Sequence, residues 1–212
     1  MRPIKYILLD TESTGLDPKV HGLLEIAALF CEFDGVKLIT KKTVYHKTKP
    51  DPDQIWDPVV LEKFPPDMKE INSRPSQRTV FLRFIDEIEH FVDKYNKDDK
   101  AYFVAWNAVH DEGFVREWFN RQNHKFYGAL FFPMHIDVLN ILNYLTTGIY
   151  LDTYKLGEVC KLFGIPYDET KLHTADTDAE LVRALFSMVL KVVPLPYFKE
   201  GGDESESRGQ SV

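Results

Sequence analysis

Apolar residues form compact runs near the N-terminus of the chain and recur at helical spacing further along it. The runs Ile4–Leu9 and Leu23–Phe33 have the length and composition of buried strands. Asp34-Gly35 is a typical hairpin turn and predicts a third strand over Val36–Tyr45. The chain is therefore expected to open with three antiparallel strands.

Later in the chain, the spacing of apolar residues predicts mainly helices. The predicted helices are Val80–Tyr95, Glu112–Gln122, Val138–Leu145, Tyr154–Phe163 and Ala175–Val193. Gly164 is expected to cap the fourth of these helices. Two further strands are expected, at Ala101–Ala105 and at Leu130–Ile136, the second at an edge or a bend because Pro133 cannot donate to a ladder. Prolines cluster in residues 47–76, which predicts a loop with one short helix over Val59–Phe64.

Hairpin strands followed by alternating helices and strands predict an α/β fold with a mixed central sheet flanked by helices. At about 100–200 residues per domain, the 212-residue chain is expected to form one domain over residues 1–198. Residues 199–212 are polar and rich in Gly and Ser, and they are expected to be a disordered tail.

Composition limits the classes of function. The 26 Lys and Arg residues against 33 Asp and Glu residues give a net charge of −7. This balance argues against a duplex-DNA binder held by phosphate contacts alone, but not against a nucleic-acid enzyme whose acidic residues hold metal ions. Cys31 and Cys160 are expected to be buried thiols in a reducing compartment. Neither a signal peptide nor a membrane span is evident, so a soluble, cytoplasmic protein without a membrane partner is expected.

The first segment with candidate chemistry carries two carboxylates at the end of the first strand. Asp10 and Glu12 are two residues apart, so both should project from one face of the strand. Two carboxylates this close repel each other unless a cation lies between them. An ordinary acidic strand end is the alternative interpretation.

Two further acidic segments lie later in the chain. Asp111 follows the predicted strand 101–105, where an N-cap of the next helix is the alternative interpretation. His173 and Asp178 lie at the start of the last long helix and could converge on one point. Asp176 and Asp178 would also complement the positive end of the helix dipole, which is the ordinary interpretation of both.

Together, these segments resemble the three motifs of the DnaQ-like 3′–5′ exonucleases. The matching segments are Asp10-Thr11-Glu12-Ser13-Thr14-Gly15-Leu16, Asn107-Ala108-Val109-His110-Asp111 and His173-Thr174-Ala175-Asp176-Thr177-Asp178. They occur in the family's order, and the resemblance spans about residues 4–192. The final His and Asp indicate the DEDDh branch of the ribonuclease-H-like superfamily. The chain departs from the family at Trp106 and His110, where a His and a Phe are usual.

The resemblance implies a set of catalytic residues. Asp10, Glu12, Asp111 and Asp178 match the metal-binding acids, and His173 matches the general base. Four carboxylates would balance two Mg²⁺ or Mn²⁺ ions, which prefer oxygen ligands. An imidazole with an ordinary pKa near 6.5 can accept a proton from the attacking water at neutral pH.

The same resemblance suggests substrate contacts. Thr11, Ser13 and Asn107 are candidates for binding the terminal nucleotide, and Leu16 corresponds to a wedge residue, although a place in the core is equally compatible with Leu16. Basic residues could contact phosphates, but a solvated strand face is the favoured interpretation of Lys41, Lys42, His46, Lys47 and Lys49. Core packing is likewise favoured over base stacking for Trp56, Trp106 and Phe114.

The expected activity is metal-dependent removal of nucleoside 5′-monophosphates from the 3′ end of single-stranded nucleic acid, with DNA favoured. One alternative is an RNA-trimming enzyme resembling ribonuclease T or oligoribonuclease. A catalytically silent nucleic-acid-binding module and a metal-dependent phosphatase are the others. The expected partners are DNA or RNA 3′ ends and a separate polymerase or replication protein.

Overall fold

A five-stranded mixed sheet forms the centre of the computed structural model, which describes residues 2–146, 153–171 and 173–192. The strands are β1 (Ile4–Ser13), β2 (Leu23–Phe33), β3 (Leu38–Lys47), β4 (Ala101–Ala105) and β5 (Ile136–Asp137). Their order across the sheet is β3-β2-β1-β4-β5. The β1–β2 and β2–β3 pairs are antiparallel, whereas β1–β4 and β4–β5 are parallel. The predicted α/β class and mixed sheet are confirmed.

Helices cover both faces of this sheet. They are α1 (Pro58–Lys63), α2 (Met68–Ser73), α3 (Gln77–Phe91), α4 (Ala108–Arg121), α5 (Tyr127–Leu130), α6 (Val138–Leu145), α7 (Leu156–Leu162) and α8 (Ala175–Val192). A short 3₁₀ helix, Glu169–Lys171, precedes α8.

The two faces of β1 belong to two different cores. Ile7 and Leu9 pack with α3 and α4, whereas Tyr6 and Leu8 pack with α6, α7 and α8. This division follows from the alternation of side chains along a strand. The strand that carries Asp10 is therefore fixed on both sides, and its carboxyl end lies at the middle of the sheet.

The prediction of a strand over Leu130–Ile136 is wrong for most of that segment. Leu130 ends the short helix α5, Phe131 makes one isolated bridge to Ala101, and regular pairing begins only at Ile136. Pro133 has no N–H to donate, so a continuous ladder through this segment is prevented.

Other boundaries differ by a few residues. The turn at Asp34–Lys37, with Gly35 at φ 100°, delays β3 until Leu38. Ser76 caps α3 and therefore starts that helix earlier than expected. Helix α4 begins at Ala108 rather than at Glu112. The sequence analysis did not predict α2, whose N-cap is Asp67.

The sequence predictions for Gly164 and for the two cysteines are confirmed. Gly164 has φ 68° and follows the end of α7, as expected for a glycine after a helix C-terminus. Cys31 and Cys160 are buried free thiols. None of the helices within the described ranges has the length and apolar character needed to cross a bilayer. The proposed tail over residues 199–212 lies outside the described residues, and the 1–198 domain boundary stays a prediction.

Candidate active site

Three carboxylates meet at the carboxyl end of β1. Asp10 and Glu12 project from the same face of that strand, and Asp178 approaches them from the first turn of α8. One oxygen from each carboxylate lies within 4.8 Å of the others. The structure thus brings together residues that are 168 positions apart in the sequence, and we call this group the acidic cluster.

The start of α8 determines where Asp178 lies. The backbone N–H of Asp178 donates to the Thr174 carbonyl at 3.0 Å, which forms the first helical turn. Ala175 and Ala179 are fully buried against the sheet, and their small side chains permit close approach of the helix. Asp178 consequently faces the end of β1.

Asp111 lies next to the acidic cluster but is bound differently. Its Oδ1 accepts hydrogen bonds from the Thr11 backbone N–H at 2.9 Å and from the Thr11 hydroxyl at 2.7 Å. The side chain is buried in the first turn of α4. Asp111 is therefore not the N-cap, a position that Asn107 occupies in a left-handed conformation without a capping side chain.

Asp137 positions the start of α4, a role that the sequence analysis missed. Its carboxylate accepts hydrogen bonds from the backbone N–H groups of Asn107 at 3.3 Å and Ala108 at 3.2 Å. It also caps α6 through the N–H of Asn140 at 3.3 Å. An Asp directly before a helical pattern was a detectable capping signal, but its second contact, with α4, depends on the pairing of β4 with β5.

The electrostatics of the acidic cluster oppose ionisation in the absence of a cation. Burial, followed by the charges of Asp111, Asp178 and Glu12, raises the pKa of Asp10 well above its usual range. Burial and neighbouring carboxylates raise the pKa of Glu12 to about 8. Burial also raises the pKa of Asp178, although His173 partly offsets this shift.

The donor atoms fit a divalent metal ion. Asp178 Oδ1 is buried and has no hydrogen-bond partner among the described residues, so one acceptor at the acidic cluster remains unsatisfied there. Such an orphaned oxygen requires an explanation, and a bound cation would satisfy it. The cluster offers only carboxylate oxygens, which suit hard divalent ions such as Mg²⁺ and Mn²⁺.

His173 lies at the edge of the same site. It is exposed, adopts φ 66°, and its ring centroid is 6.1 Å from that of Phe64. With Asp10 and Asp178 it lines a cavity of about 390 Å³. The imidazole is therefore open to a ligand that reaches the acidic cluster.

Aromatic residues also line this cavity, namely Trp106, Tyr154 and Tyr167. The indole N–H of Trp106 donates to the Tyr154 carbonyl at 3.0 Å. Trp106 thus links the end of β4 to the segment before α7. Its departure from the usual family residue alters the lining of the site but leaves Asp111 in place.

The four candidate substrate residues lie in different environments. Thr11 is buried and its hydroxyl is bound to Asp111, whereas the Ser13 hydroxyl donates to the Gly15 carbonyl at 2.6 Å. Leu16 is 77% exposed, so the alternative of a core position is wrong. Asn107 is exposed at the start of α4.

Most of the basic residues singled out in the sequence are paired on the surface. Lys41 lies 3.1 Å from Glu32, and Lys42 pairs with Glu87. This arrangement agrees with a solvated strand face. Phe114 is 3% exposed and belongs to the core, as favoured by the sequence analysis.

Comparisons with known proteins agree with this arrangement. Residues 7–186 match the model of the exonuclease family RNase_T. Ribonuclease T of Baumannia cicadellinicola is 29% identical over 187 residues, which cover 85% of this chain and 80% of that protein. Ribonuclease T of Shewanella frigidimarina is 24% identical over 188 residues, which cover 87% and 81%. A PolC-type DNA polymerase III of Mycoplasmopsis pulmonis is 25% identical over 199 residues, 93% of this chain but 12% of the polymerase.

Solved structures share the fold. A zinc-bound complex of E. coli exonuclease I with single-stranded DNA superimposes with a TM-score of 0.70 at 17% identity over 89% of this chain. This chain spans only 40% of that exonuclease. A 3′-exonuclease that recognises a histone mRNA stem-loop gives a TM-score of 0.66 at 13% identity, with 88% of this chain and 63% of that chain covered. The family match and the fold together establish that the chain belongs to the RNase_T exonuclease family, within the DnaQ-like group of the ribonuclease-H-like superfamily.

Proposed function

We propose that this exonuclease hydrolyses the terminal phosphodiester bond at the 3′ end of single-stranded nucleic acid and releases nucleoside 5′-monophosphates. The observation that carries the proposal is the acidic cluster of Asp10, Glu12 and Asp178, open to a cavity that His173 also lines. An opening at the end of the sheet suits a chain terminus, which requires contacts to only a few nucleotides.

Asp10, Glu12 and Asp178 would hold the divalent cations, with Asp111 as a fourth acid beside them. Two Mg²⁺ or Mn²⁺ ions would neutralise the phosphate charge and activate the attacking water. Two hydrogen bonds from Thr11 hold the Asp111 carboxylate close to Asp10. The Asp111 carboxylate adds negative charge to the site there.

His173 is the proposed proton acceptor. It is exposed at the cavity wall, where its ring lies 6.1 Å from that of Phe64. Asp178 accepts a hydrogen bond from the His173 backbone, which places this histidine next to one of the proposed metal-binding acids. An exposed imidazole in this position suits general-base catalysis.

Exposed apolar side chains beside His173 and in the loop after β1 suit a path for the terminal nucleotide. Leu16 is 77% exposed, and Phe64 is 59% exposed beside His173. The Asp57 N–H donates to the Thr14 carbonyl at 2.8 Å, which joins the segment before α1 to the loop that carries Leu16. Both side chains can contact a base, since bases stack on apolar and aromatic surfaces without sequence preference.

The sugar preference has two candidates. The sequence analysis favours DNA, and one structural relative, E. coli exonuclease I, is described in complex with single-stranded DNA. The relatives named ribonuclease T, which cover most of this chain, favour RNA end trimming as the second candidate. The predicted polymerase or replication partner stays a prediction.

The test uses 5′-labelled single-stranded DNA and RNA of one sequence, incubated with Mg²⁺, Mn²⁺ or EDTA. We expect a ladder that shortens from the 3′ end only when a divalent ion is present. Asp178→Asn should abolish the ladder, whereas Asp176→Asn, an exposed acid on the same helix turn, should retain it. Failure of the folded wild-type protein to shorten either strand, or equal activity of the two variants, would refute the proposal.

A further inference from the structure

Glu25 lies directly beside the acidic cluster without being part of it. In the β1–β2 pair Glu25 is opposite Glu12, and in the β2–β3 pair it is opposite Lys47. Directly opposite residues share one face of a sheet, and like charges in such a pair are destabilising. A further carboxylate next to the three acids of the cluster therefore needs a reason other than stability.

The Glu25 side chain is held by three groups. Its Oε1 lies 3.4 Å from Lys47 Nζ and 3.5 Å from Arg74 Nη2. Its Oε2 accepts a hydrogen bond from the Tyr45 hydroxyl. With a side chain only 13% exposed, Glu25 is a largely buried carboxylate surrounded by two cations and one hydroxyl.

Arg74 is fixed independently of Glu25. Its Nε is 2.9 Å from both carboxylate oxygens of Glu70, and its Nη1 donates to the Leu24 carbonyl at 3.1 Å. The Arg74 side chain is 10% exposed. Loss of the charge on Glu25 would therefore leave this cation in place beside residue 25.

We propose that Glu25 is a positioning residue that sets the divalent-cation affinity of the acidic cluster by neutralising Lys47 and Arg74. Glu25 is not among the clustered acids, whose oxygens within the described chain come from Asp10, Glu12 and Asp178. It acts through charge: it holds Lys47 across the sheet and adds negative potential beside Glu12. The inference rests on the proposed function, because it concerns the metal site of that activity.

The experiment measures Mn²⁺ binding to the full-length, EDTA-treated protein by isothermal titration calorimetry at pH 8.5. Glu25→Gln should weaken binding by roughly tenfold, since it removes one negative charge opposite Glu12 and leaves Lys47 without this carboxylate partner. Lys47→Gln, at a side chain that is 44% exposed, should tighten binding by roughly threefold. The double variant should return towards the wild-type affinity, a compensation that loss of structure alone does not produce.

Glu32→Gln is the matched control. Glu32 lies on the same strand and pairs with Lys41 at 3.1 Å, but at the far end from the acidic cluster. The Mn²⁺ affinity of the Glu32→Gln variant should equal that of the wild type. Equal affinities for Glu25→Gln and Glu32→Gln, or a Lys47→Gln variant that binds more weakly than the wild type, would overturn the inference and leave the proposed function intact. Absence of Mn²⁺ binding in the folded wild-type protein would overturn both.

Discussion

The buried charge of Glu12 should make the metal-free protein less stable as the pH rises. The pKa of Glu12 is about 8 in the folded protein, against an ordinary value of 4.5. Below pH 4.5 the carboxyl is protonated in both the folded and unfolded states. Between pH 4.5 and 8 the unfolded chain releases the proton while the folded protein retains it, so the free energy of unfolding falls.

The magnitude follows from the pKa difference. At 1.36 kcal/mol for each pKa unit, the loss reaches at most about 4 kcal/mol at pH 8. Glu12→Gln keeps the shape of the side chain and removes this ionisation. The variant should therefore unfold at a higher temperature than the wild type at pH 8, by at most roughly 8–16 °C for a domain of this size, and at nearly the same temperature at pH 4.5.

Thermal unfolding in EDTA, followed by circular dichroism at pH 4.5, 6 and 8, measures this difference. Glu32→Gln, which removes a partly exposed carboxylate far from the site, provides the control and should show no comparable pH-dependent gain. Mn²⁺ should stabilise the wild type more than the Glu12→Gln variant. If Glu12→Gln melts at or below the wild-type temperature at pH 8 without metal, the electrostatic account of the site is wrong.

Three further outcomes are expected. His173→Ala should reduce the exonuclease rate by roughly 10²–10⁴-fold with little change in melting temperature, because the side chain is exposed; a near wild-type rate in the gel assay would exclude the general-base role. Thr11→Val removes one of two hydrogen bonds to Asp111 and should cost about 1–3 kcal/mol in urea unfolding; an unchanged midpoint would contradict the buried hydrogen bond. Trp106→Phe removes the indole N–H that donates to the Tyr154 carbonyl, so KM for an oligonucleotide should rise several-fold while kcat stays within about twofold. A fall in kcat alone would argue against a role of Trp106 in substrate binding.

The sequence correctly predicted features that depend on short-range periodicity. Alternation along β1 placed Asp10 and Glu12 on one face, and Gly164 marked the end of a helix. The motif resemblance identified the family that the profile match independently supports. These signals are local because strand alternation, helix periodicity and capping each involve residues only a few positions apart.

The sequence failed where the structure depends on contacts between distant segments. Leu130–Ile136 resembled a strand by composition, but α5 and Pro133 limit regular pairing to Ile136–Asp137. The sequence analysis did not single out Asp137, which caps α6 and also holds the start of α4. Neither outcome can be read from the local pattern, because each depends on which neighbour the sheet supplies.

The sequence by itself determined the α/β class, the order of most of the elements and the identity of the candidate acids. Tertiary structure alone decided that Asp111 is bound by Thr11, 100 positions away, and that Glu25 lies opposite Glu12. It also brought Trp106 and Tyr154 to the wall of the cavity. The physical reason is that periodicity fixes which face a side chain occupies, whereas strand register and helix packing fix which charges and hydrogen-bonding groups it meets there.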